Sequence, residues 1–109
     1  MYYAYRPWLA QAWRDLDSAA KSYSAGDLRT CAQLSRLSCE KALKAYYVSL
    51  NGRAPEGEHS VSDLIKMLGL KELELLLHDT EGGSVVLTPG ERSLNLARKV
   101  VELVARKLP

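Results

Sequence analysis

Arg53 and His59, six positions apart, are the residues of this chain best suited to chemistry on a phosphodiester. Histidine titrates near neutral pH and can exchange a proton with a ribose 2′-hydroxyl or a leaving oxygen. An arginine guanidinium neutralises charge developing on the phosphate. Such a pair needs no metal, and one pair from each of two subunits related by a two-fold axis would make a composite ribonuclease site. The structural alternative is that Arg53 is a solvated loop residue and that the His59 imidazole hydrogen-bonds loop backbone just ahead of a helix. Between them lies Ala54-Pro55-Glu56-Gly57-Glu58. That stretch cannot form a regular helical turn, so nothing local fixes both side chains on one face, which favours the structural alternative.

Other chemistries lack their residues. His59 and His78 are the two histidines, with no Cys or His near either at metal-ligand spacing. The paired helical Glu-x-x-His motifs of a di-iron bundle are absent, so no metal and no cofactor are expected. There is no glycine-rich phosphate loop and no nucleophile elbow, and Gly82-Gly83 reads as a turn. Tyr2, Tyr3, Tyr5, Tyr46 and Tyr47 could stack on RNA bases. The favoured expectation is that Tyr46 caps a core and that the N-terminal tyrosines pack on their own domain or a second subunit.

The elements that must position these residues are helical. A chain of 109 residues, 47% hydrophobic and 26% charged with a formal net charge of +2, suits one domain with a sizeable core. It excludes a multidomain enzyme, a disordered tail and a strongly basic RNA module. No run approaches the roughly 20 apolar residues that span a bilayer, and Met1–Pro7 does not read as a secretory leader. Cys31 and Cys39 fall on one expected helix with their Cα atoms roughly 12 Å apart, beyond disulfide reach. They read as small core residues of a cytoplasmic protein.

A first helix is expected from about Pro7 to Ala25, stopped by Gly26, with Trp8, Leu9, Ala12, Trp13, Leu16, Ala19, Ala20 and Tyr23 on its buried arc. A second, capped by Asp27 and stopped at Asn51-Gly52, is apolar or small over most of its circumference. Its polar residues Arg29, Gln33, Arg36, Glu40 and Lys44 share one narrow stripe, so it should be the central rod. Leu37 and Val48 fall outside its main buried arc. Two short helices, about Ser60–Leu68 and Leu70–Asp79, flank Gly69, with Leu75 pointing away from the core. Val85-Val86-Leu87 is too apolar to lie free in water. The Thr88-Pro89-Gly90-Glu91 capping box opens a last helix that runs to Leu108. The expected fold is all-α: an antiparallel up-and-down bundle of three long helices plus a short helical pair, one domain over residues 1–109.

Glu40-Lys41-Ala42-Leu43-Lys44-Ala45, then Gly52, Pro55, His59 and the Leu64/Leu68 pair, give the chain a resemblance over nearly its whole length. It resembles the HEPN domain family (higher eukaryotes and prokaryotes nucleotide-binding). The resemblance implies a small helical bundle that forms two-fold dimers. It also implies work beside a minimal nucleotidyltransferase, in a toxin–antitoxin-like or nucleotide-handling pair. Many family members are metal-independent endoribonucleases whose motif is Arg, a short interval and His, and the interval from Arg53 to His59 fits that spacing. Ala54, Pro55 and Gly57 depart from the polar, helical setting of the motif. The chain therefore looks like the branch without the nuclease motif, with His59 as a structural histidine. Apolar residues left over at Leu37, Val48, Leu75 and Val85–Leu87 add an expectation of a homodimer and a protein partner. A nucleotide or RNA ligand stands as a further alternative, and no membrane association is expected.

Overall fold

A computed structural model describes residues 3–82 and 89–109, and the side chains of 3–76 and 90–109. Five helices occur among them and no strand: α1 (Arg6–Ser24), α2 (Leu28–Asn51), α3 (Val61–Met67), α4 (Lys71–Gly82) and α5 (Pro89–Lys107). The expected Thr88 cap and the Val85-Val86-Leu87 run lie outside the described residues.

Local chemistry sets the helix limits. The Asp27 carboxylate accepts the Thr30 amide at 3.1 Å and so starts α2, and the Thr30 side chain first and that amide second hold the carboxyl below its usual range. Gly52 ends α2 at φ 80, a left-handed position that a side chain would strain, with its amide on the Val48 carbonyl at 2.8 Å. Ser60 caps α3 through a reciprocal box. The Asp63 amide donates to Ser60 Oγ at 3.0 Å, and the Ser60 amide donates to Asp63 Oδ2 at 3.3 Å.

The second helix is the central rod its sequence implies. It packs on α1, α3 and α5, and Cys31, Ser35, Ser38, Cys39, Ala42, Leu43, Ala45, Val48 and Ser49 are buried along it. Its seam with α1 is made of small residues, and Ser38 Oγ donates to the Ala12 carbonyl across it at 2.7 Å. Beside that contact, Lys41 Nζ lies 2.6 Å from Asp15 Oδ2, while Gln11 donates to the other carboxylate oxygen at 3.0 Å. Asp15 is charged and yet buried. It stands three residues after Ala12 and four before Ala19, so the buried stripe carries it inward and Lys41 meets its charge.

The fifth helix contributes Leu94, Ala97, Val100, Val101 and Val104 to the same core, and the short pair contributes Leu64, Ile65, Leu70 and Leu73. The first turn of α5 is fastened to its neighbours. Cys31 Sγ donates to the Gly90 carbonyl at 3.6 Å, and Leu28 lies 3.1 Å from where a Cβ on Gly90 would sit. The Tyr23 hydroxyl donates to the Glu91 carboxylate, which raises the phenol above its ordinary range.

Several apolar positions differ from the sequence pattern. Trp13 in the middle of α1 and Leu28 and Leu50 at the ends of α2 are exposed. Val48 is instead buried in a second cluster with Tyr5 and Ala45, packed against Trp8, Leu9, Ala54 and Leu108. Leu37 is half-buried and Leu75 is 67% exposed. Tyr5, the described member of the N-terminal tyrosines that turns inward, donates its hydroxyl to the Pro109 carbonyl at 2.6 Å.

Ser38→Leu should overfill the α1–α2 seam and lower stability in urea by about 1–3 kcal/mol, while Leu75→Ala should change it by no more than about 0.5 kcal/mol. Burial also pushes the Cys39 thiol up to about 12 from 9.0. The folded chain therefore keeps a proton that the unfolded chain releases at lower pH. This stabilisation is complete below 9.0 and is lost as pH rises toward 12, so the urea midpoint should fall over that window. Cys39→Ala should flatten the fall.

Candidate functional site

The loop from α2 to α3 carries both residues singled out for chemistry, and each of its turns has a local cause. Gly52 reverses the chain at the end of α2. Ala54 is half-buried against the Tyr5–Ala45–Val48 cluster and so anchors the base of the loop. Gly57 turns it again at φ 79. His59 then stands immediately before the Ser60 cap of α3.

Within this loop His59 is half-buried and its Nε2 lies 2.8 Å from the Glu56 carbonyl. A carbonyl only accepts, so Nε2 carries the hydrogen and donates, which leaves Nδ1 as the other ring nitrogen. This is the backbone contact expected of a structural histidine. Arg53 is exposed and has no hydrogen-bond or carboxylate partner among the described residues. The two side chains share a loop, and no contact joins them. His78 falls on α4, outside the described side chains.

A larger concavity begins one residue beyond His59. A groove of about 610 Å³ runs between α2, the start of α3 and α5. Ala32, Cys39, Val61 and Leu96 give it apolar walls, and Gln33, Arg36, Glu40, Ser60, Ser62 and Ser93 give it polar ones. Arg36 Nε is 3.9 Å from Glu40 Oε1, with the arginine side chain 66% exposed and the glutamate 23%. That separation in a wet setting makes a loose pair. The Cys39 thiol is protonated at neutral pH, so it offers the groove a small apolar wall and no nucleophile.

This groove is not marked by any single stretch of sequence, although part of its signal is local. Gln33, Arg36 and Glu40 belong to the one polar stripe of a rod otherwise enclosed. A wet stripe on an enclosed helix has to face a gap between its neighbours. The other walls come from α3 and α5, which no local pattern ties to that stripe.

Two negative features complete the site. Among the described residues no group of three or more His, Cys, Asp or Glu converges to hold a metal ion. No helix among them is long and apolar enough to cross a membrane.

The chain matches no curated protein and no solved structure. The model of the HEPN domain family does match it, over residues 5–88. The matched stretch takes in α1 to α4, the Arg53–His59 loop and the α2 and α3 walls of the groove. With more than three-quarters of its length aligned and five helices in the expected order among the described residues, the chain belongs to the HEPN domain family.

Proposed function

We propose that this HEPN protein is a binding protein without nuclease activity. It pairs with a second copy of itself and acts with a partner protein of the minimal nucleotidyltransferase kind, in a toxin–antitoxin-like or nucleotide-handling role. The observation that carries this reading is the bond from His59 Nε2 to the Glu56 carbonyl at 2.8 Å. It commits the imidazole to holding its own loop, and Arg53 stands apart from it without a contact. General acid–base catalysis requires the proton-transferring nitrogen within reach of the same phosphate that the arginine neutralises.

Exposed apolar side chains at Trp13, Leu28, Leu50, Met67 and Leu75 support the association part of the reading. The 610 Å³ groove beside Arg36 is of a size that holds a small ligand, which supports the nucleotide-handling part.

Light scattering should give twice the 12.1 kDa chain mass at micromolar concentration. A monomer would remove the dimer from this reading. Mixed RNA incubated with the protein in EDTA should stay intact. Cleavage that disappears in His59→Ala would instead establish the alternative, a metal-independent endoribonuclease using Arg53 and His59. In the binding reading His59→Ala loosens the loop, and it should speed amide exchange at residues 56–60 while leaving the helices protected.

A further inference from the structure

One end of the bundle gathers positive charge. Where α1 begins and α2 and α5 finish, Tyr5, Ala45, Val48, Trp8, Ala54 and Leu108 form the second cluster. Cations flank its members in sequence: Arg6 follows Tyr5, Lys44 precedes Ala45, Arg53 precedes Ala54, and Arg106 and Lys107 precede Leu108. None of these five takes part in an ion pair among the described residues. The carboxylates nearest in sequence are Glu40 one turn before Lys44, Glu56 and Glu58 on the loop and Glu102 one turn before Arg106, and α1 has no acidic residue in its first turn. On a chain whose net charge is only +2, this end is markedly positive.

Two of the cations are held against aromatic rings. The Arg6 guanidinium lies 5.3 Å from the Tyr3 ring centroid, and the Lys44 ammonium lies 5.7 Å from that of Trp8. Single-stranded nucleic acid is gripped largely by bases stacking on open aromatic faces. Here one face of each of those two rings is taken by a cation, and the cations flank the half-buried apolar residues Trp8, Ala54 and Leu108. That arrangement suits carboxylates presented by another protein.

We infer that this end of the bundle docks an acidic segment of a partner protein, with Arg6, Lys44, Arg53, Arg106 and Lys107 as the contacts. The inference rests on the reading that the protein works through a partner and adds where that partner binds and what chemistry it offers. It gives Arg53 a role that needs no proton transfer from His59.

The test uses the full chain with two labelled probes of equal charge at low salt: a short Glu- and Asp-rich peptide and single-stranded oligouridylate. The peptide should bind, and the double variant Arg53→Glu/Arg106→Glu should weaken it by about tenfold or more. The charge-matched control Lys66→Glu/Lys71→Glu, at exposed positions on α3 and α4, should leave it unchanged. Equal losses in both variants would mean diffuse attraction and overturn the assignment. So would an oligouridylate that binds more tightly than the peptide and loses that advantage in the Arg53/Arg106 variant, or a peptide that fails to bind. Light scattering on the same samples separates this result from the broader reading. A dimer that ignores the peptide sinks the docking site alone, and a monomer counts against the pairing whatever the peptide does.

Discussion

Burial of α2 on nearly every side is the constraint on which the rest of the molecule depends. A helix can be surrounded only if its neighbours come close, and close approach requires small side chains at the seams. Ala12 and Ala19 on α1 and Ser35, Ser38, Cys39 and Ala42 on α2 are small and buried, and Ser38 meets Ala12 directly. Small polar residues at such a seam need partners, because an unpaired hydroxyl in the interior costs about 1–3 kcal/mol. Ser38 finds one in the Ala12 carbonyl and Ser49 in the Tyr46 carbonyl at 2.6 Å. The Asp15–Lys41 pair works at the margin of the same seam. It is partly wet, so its contribution lies in fixing how α1 sits against α2 more than in raw stability.

Enclosure of the rod also decides where function can lie. With three sides taken by α1, α3 and α5, α2 meets solvent along its polar stripe and at its two ends. The stripe opens into the groove beside Arg36 and Glu40. The C-terminal end becomes the platform for the Arg53 loop. Arg36 and Glu40 sit at the first of these openings and Arg53 at the second, and the loop carrying His59 runs between them.

Much of this was legible from residue order alone. The helix limits followed from Asp27, Gly26, Gly52 and Gly69, because caps and left-handed glycines act locally and leave a signature of a few residues. The central place of α2 followed from its narrow charged stripe. Less legible were features that depend on a second element. Asp15 looked solvent-facing because its partner Lys41 lies 26 residues away on another helix. Val48 looked stranded because Tyr5 and Leu108, which help cover it, come from opposite ends of the sequence. Trp13 looked buried because periodicity gives the direction of a side chain but not the reach of the neighbouring helix. At the candidate site, the loop and the contact of His59 with its backbone could be read, whereas the groove could not.

The hydrogen bond from Tyr5 to the Pro109 carbonyl spans 104 positions of sequence. Contacts of such separation are slow to form, because the intervening chain must already be nearly folded before they close. The seat of Ala54 is therefore assembled late, when the last helix has docked and brought Leu108 and Pro109 beside Tyr5. Ala54 thus rests on residues far from it in sequence on either side, while the turns of its loop are set locally. The seating of Ala54 therefore reports on tertiary contacts beyond the two helices that its loop joins.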